Sequence, residues 1–238
     1  MLTAIRSWKK KYSTLAILLI VLAMLATPFY SIGYLIFVAF NARKIIVIKT
    51  LDSYFANFII ILLLLCSSIM VAGVYTSYAN ISNMPMLNVL LASLILLCLN
   101  KLADNSTIKN TPIVDKADIV SLLLALLLPV ISLVLFISGS GFHMAIFRIA
   151  NANGWDSAQH FSFLQLDATN KNYLYSKSPL GEVHNDYPQG WHLANSNITE
   201  GLIPGVLTGA HGFFASLVAY ATIIMIWATI AVFLLSRI

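Results

Sequence analysis

Four stretches of this chain, Tyr54 to Tyr75, Met86 to Leu99, Ile119 to Ile137 and Leu207 to Leu235, contain no Asp, Glu, Lys or Arg. Crossing the hydrocarbon core takes about 20 mostly apolar residues, and backbone groups in lipid must bond within their own segment. Together these constraints predict membrane-crossing α-helices and exclude an ordinary water-soluble domain. Composition agrees: 59% of the 238 residues are hydrophobic and only 10% are charged, against roughly 25% in a soluble protein. Cys66 and Cys98 both fall inside apolar runs, which excludes a disulfide framework and marks them as small packing residues. The basic start, Arg6 with Lys9, Lys10 and Lys11, runs into a long apolar stretch without a small-residue cleavage site. No cleavable signal peptide is therefore expected.

The first apolar run, Ser13 to Phe40, is too long for one upright span and carries Pro28 near its middle. Because cytoplasmic segments hold the excess of Lys and Arg, the basic residues select the topology. A single span divides the 14 basic residues seven to seven. A hairpin turning near Pro28 keeps eleven inside and leaves three, Arg148, Lys171 and Lys177, outside. The expected fold class is therefore all-α, a polytopic transmembrane bundle of about six membrane segments with both termini cytoplasmic, in the plasma membrane. Residues 1–12 form a basic cytoplasmic N-terminus, 13–138 the hairpin and three further spans, 139–206 a folded extracytoplasmic segment, and 207–238 the last span. The net charge of +5 then reports topology, and nucleic acid is not an expected partner. Asp104, Asp115 and Asp118 are expected to solvate the adjoining loop or cap the next span.

Between Ser138 and Val206 the composition turns polar, and all five histidines lie in or just beyond this stretch. Its many aromatics, Trp155, Phe161, Phe163, Tyr187 and Trp191 among them, argue against disorder. Gly141 to Ala152 reads as an interfacial helix or as a continuation of the preceding span. After Gly154, helical character resumes from Asp156 to Asp167, and the four-residue spacing puts Asp156 and His160 on one face with Phe163 and Asp167 further along. That face fits a water-exposed helix capped by Asp156, or a site in which the carboxylate orients the imidazole or both hold a metal. Further on, His184, Asp186 and His192 flank the turn sequence Tyr187-Pro188-Gln189-Gly190, with Trp191 beside it. No spacing here is diagnostic of zinc. A divalent cation on Asp156 and Asp186, neutralising phosphate, remains an open alternative to direct acid–base use.

The pair Asp156-x-x-x-His160 and Tyr187-Pro188-x-Gly190-x-His192 resembles the early extracytoplasmic loop of the GT-C superfamily of membrane glycosyltransferases, in particular bacterial members with a Tyr-Pro-x-Gly-x-His signature. The matched region runs from about Gly154 to Leu193. The resemblance implies sugar transfer from a polyprenyl-phosphate donor to an acceptor outside the membrane. Asp156 would be the general base or metal holder, and His160 would support it. Arg148, His184, Asp186, Tyr187, Trp191 and His192 would line the substrate cavity. Members of that superfamily carry more spans than the six counted here, so the expectation is the N-terminal part of such an enzyme, or a short or split form working with a further membrane subunit. The competing expectation is a non-catalytic membrane subunit or transporter fragment whose external segment binds a partner or solute.

Overall fold

A computed structural model of the chain describes residues 2–43, 53–79, 84–103, 114, 116–151, 155–170 and 190–237. Among these the regular structure is helical: α1 (Leu2–Leu25), α2 (Tyr30–Ala42), α3 (Tyr54–Tyr78), α4 (Pro85–Ala103), α5 (Lys116–Ala150), α6 (Trp155–Asn170), α7 (Gly190–Leu202) and α8 (Phe213–Arg237). The protein is all-α. Within α3, α5 and α8 the segments Tyr54–Thr76, Lys116–Leu135 and Phe213–Arg237 are long and apolar enough to cross a membrane. Shorter apolar helices cover Thr14–Leu25, Tyr30–Ala42 and Pro85–Leu99. Side chains such as Leu123 and Leu135 on α5 are apolar and more than 60% exposed, as a surface solvated by lipid tails requires. By length and composition these helices mark a membrane protein.

The chain reverses at residues 26–29, between α1 and α2. Thr27 Oγ1 bonds the Met24 carbonyl at 2.8 Å and accepts from the Phe29 amide at 3.2 Å. A residue before proline avoids the α region, so Thr27-Pro28 ends one helix and its side chain satisfies the exposed backbone. The two helices then pack on each other, and α2 packs on α3.

α5 continues past Ser138, where the polar segment was expected to begin. Only Gly141, with φ 78° and ψ 167°, interrupts its helical backbone. Residues 142–150 therefore continue α5 beyond a kink, and Ile146 and Ile149 pack inward there. At the other end, α8 opens at Phe213, six residues beyond the Leu207 that begins the apolar run. Gly205, Gly209 and Gly212 all have φ near +85°, a left-handed conformation that an α-helix cannot hold. The Glu200 carboxylate closes this turn, accepting from the amides of Gly205 and Leu207 at 2.6 Å each and of Thr208 at 3.3 Å.

Asp118 solvates no loop. Its side chain is fully buried and lies 3.5 Å from Arg237 Nε, tying the start of α5 to the end of α8. Asp104 and Asp115 lie outside the described residues.

Among the described residues three apolar clusters form. One gathers Leu25, Val38, Ile61, Leu65, Ala92 and Leu193 from α1 to α4 and α7. A second gathers Ile146, Leu164, Leu217 and Ile223 from α5, α6 and α8 with Leu207 of the turn before α8. A small third joins Ala56, Ala125 and Phe233 of α3, α5 and α8. Trp227 of α8 packs against the first two.

α7 reaches α2 through Gly201: a Cβ there would overlap Ser31 Oγ and the Tyr30 ring. Replacing Gly201 by Leu should destabilise the protein by about 1–3 kcal/mol, the usual cost of overpacking. A lowered unfolding midpoint in detergent, with helix content retained, is the expected readout.

Candidate functional site at the junction of α6 and α7

α7 reads Gly190-Trp191-His192-Leu193-Ala194-Asn195-Ser196-Asn197 at its start, a polar sequence, yet residues 192–197 are all buried. Burying such a helix is tolerable only if its polar groups find partners. Asn195 donates to the Trp191 carbonyl at 2.7 Å and accepts from Trp227 Nε1 at 2.7 Å. Ser196 donates to the Leu193 carbonyl at 3.1 Å. Asn197 accepts twice from α2: its side-chain oxygen from Tyr34 at 3.1 Å and its carbonyl from Tyr30 at 2.8 Å. Tyr34 in turn accepts from Asn88 of α4 at 2.7 Å. A hydrogen-bonded chain thus runs from α4 through α2 into α7.

The remaining polar side chain of this run, His192, meets α6. Its Nε2 lies 2.7 Å from Nδ1 of His160, and the rings meet edge to edge, with centroids 4.9 Å apart and planes 21° apart. His192 is 2% exposed and His160 is half-buried. At this distance one nitrogen must donate and the other accept, so the contact carries a single proton. Trp191 and Phe163 wall the pair edge-on, with centroids 5.1 and 5.4 Å from the His192 ring. The contact thus fixes the tautomer of one ring relative to the other.

The fate of each expected site residue differs. His160, Trp191 and His192 come together. Asp156 occupies the first turn of α6, one turn before His160, though its side chain is not among those described. Arg148 is exposed near the end of α5 and stands in neither the histidine contact nor the cavity described below. His184, Asp186 and Tyr187 lie outside the described residues. Among the described residues, no group of three or more His, Cys, Asp or Glu side chains could hold a metal. The candidate divalent site on Asp156 and Asp186 involves side chains that are not described.

Two turns beyond His160 on α6, Asp167 lines a small cavity with Tyr30 of α2 and Ser196, Asn197 and Glu200 of α7. Asp167 is 1% exposed, and among the described residues neither carboxylate oxygen has a hydrogen-bond partner. Burial pushes its carboxyl well above the usual carboxylate range. Its spacing from His160 already put it on the same helix face in sequence. Nothing in the sequence marked Asn197, Tyr30 or Glu200 as its surroundings, since their proximity depends on how α7 packs.

The histidine contact is testable by a double-mutant cycle. Changing His160 and His192 to Phe, singly and together, should give a coupling of about 0.5–3 kcal/mol in unfolding free energy. Independent losses would show that the two rings do not act as a pair. In comparisons with protein-family models, curated proteins and solved structures, the chain matched none, so its function is argued from this site's own chemistry.

Proposed function

We propose that this chain is a multi-pass plasma-membrane protein of the glycosyltransferase type. It transfers a sugar from a polyprenyl-phosphate donor to an extracytoplasmic acceptor. The observation that carries this reading is the 2.7 Å contact between His160 and His192, 32 residues apart. Each histidine ends one of the two motifs on which the resemblance to GT-C enzymes rests, so the motifs meet in one place.

In such a reaction the acceptor oxygen bonds to the anomeric carbon as the bond from that carbon to phosphate oxygen breaks. The acceptor's proton goes to a base, and the polyprenyl phosphate leaves with the bonding electron pair. Asp156 takes the part of the base. His160, one turn along the same helix and backed by His192, supports it or donates to the departing phosphate. Trp191 offers a flat apolar wall for a sugar ring. Arg148, His184, Asp186 and Tyr187 are proposed to contact the donor, and Asp156 with Asp186 to hold a divalent cation where one takes part. The eleven-to-three distribution of basic residues supports six membrane segments and an external site with both termini in the cytoplasm.

Transfer of radiolabelled sugar from a panel of polyprenyl-phosphate donors, in membranes holding the native chain, tests the reading. Asp156→Asn should lower transfer by about 10²–10⁴-fold, the usual contribution of a positioned acid or base, with membrane insertion unchanged. Chelation of divalent ions in parallel reports on the metal. Absence of transfer from a correctly inserted native chain would favour the other class, a non-catalytic membrane subunit whose external segment binds a partner or solute.

A further inference from the structure

Asp167 presents a problem that the sugar-transfer chemistry does not use. A carboxylate this deeply buried must be neutralised, and no described cation is within ion-pair reach of it. Protonation would remove the charge but not the isolation, because a carboxylic acid still needs an acceptor for its O–H, and among the described residues neither oxygen has a hydrogen-bond partner.

Two of the other groups around the cavity are hydroxyls whose hydrogens are already committed. The Tyr30 hydroxyl donates to the Asn197 carbonyl at 2.8 Å, and the Ser196 hydroxyl donates to the Leu193 carbonyl at 3.1 Å. Both oxygens keep lone pairs. The Asn197 side-chain oxygen accepts one hydrogen bond, from Tyr34, and retains capacity for another contact. Glu200 already spends its charge on three backbone amides of the 203–212 turn. Beside this amide-bound carboxylate, Asp167 is left without a hydrogen-bond donor among the described residues, at a cavity of about 10 Å³. That is room for one water or one bare ion.

We propose that this cavity between α2, α6 and α7 binds one monovalent hard cation, of which sodium fits best. Asp167 is its charged ligand, and the oxygens of Ser196, Asn197 and Tyr30 complete the shell. Glu200 is held by three amides of the turn, so Asp167 is the lining carboxylate left without a donor among the described residues, and one positive charge matches it. Ligand type selects hardness, since the set is all oxygen, with no thiolate or imidazole. The titratable groups facing that space are Asp167 from α6, Tyr30 from α2 and Glu200 from α7. The site needs no sugar chemistry and stands whether or not the chain is a transferase.

The test is thermal unfolding of the full chain in lipid nanodiscs, in sodium, potassium, calcium or N-methylglucamine chloride at equal ionic strength and mildly alkaline pH. The unfolding midpoint should rise with the logarithm of sodium concentration, as expected for an ion bound only by the folded state. Lowering the pH should weaken that response, because protons compete for Asp167. Ser196→Ala, which keeps the charge, should weaken the apparent sodium affinity about tenfold, the worth of one polar contact. Asp167→Asn should abolish the response and, in N-methylglucamine, unfold at a higher temperature than the native chain. If that variant does not fold, the native titration and Ser196→Ala still decide. A native midpoint indifferent to sodium, an equal rise in Asp167→Asn, or a larger rise with calcium would each overturn the proposal.

Discussion

Everything distinctive in this structure depends on burying α7. A helix containing His192, Asn195, Ser196 and Asn197 in succession would ordinarily lie on a wet surface, yet here all four are buried. Leaving a buried polar group without a partner costs about 1–3 kcal/mol, so neighbouring helices are constrained to present partners at fixed heights. Tyr30 and Tyr34 on α2, His160 on α6 and Trp227 on α8 meet that demand, each through a bond of 3.1 Å or less. In a lipid environment, where apolar side chains gain little by leaving the tails, such bonds and close packing between helices carry much of the specificity of assembly. The α7 contacts therefore fix which helices surround it and in what register.

Carboxylates withdrawn wholly or partly from water are handled in three ways here, and the contrast separates structure from function. Asp118 has a guanidinium, Arg237, across the α5–α8 interface. Half-buried Glu200 has backbone amides in a turn whose glycines are left-handed. Both arrangements hold elements together. Asp167 has neither kind of partner among the described residues, and a stabilising role cannot explain an isolated buried carboxylate, because its own contribution to folding is unfavourable. That asymmetry is why a ligand is assigned to Asp167 and not to the other two.

Hydropathy made the all-α class and the long apolar helices legible, because solvation by lipid acts residue by residue and leaves a contiguous signature. Long-range partners leave no such signature. Asp118 looked like a loop residue because Arg237, its counter-charge, is more than a hundred positions away. The opening of α8 was misplaced at Leu207 because residues 207–212 are apolar enough to continue a span, while the conformations of Gly209 and Gly212 that prevent it appear only in three dimensions. α7 was the hardest element to read. Its polarity after Tyr187-Pro188-Gln189-Gly190 suggests a loop lining, and only the partners waiting on α2, α6 and α8 turn it into a buried helix. Of the candidate site, the spacing of Asp156 and His160 and the presence of His192 were visible. The pairing of the two histidines required the fold.

The close approach of α7 to α2 links the two parts of the site. At Gly201 the helices meet with no room for a side chain, and the Tyr30 ring lies in that contact. The same Tyr30 bonds Asn197 and lines the Asp167 cavity. Nine residues earlier on the same rigid helix, His192 meets His160. α6 and α7 thus touch at two levels, through the histidine pair at one and around the Asp167 cavity at the other.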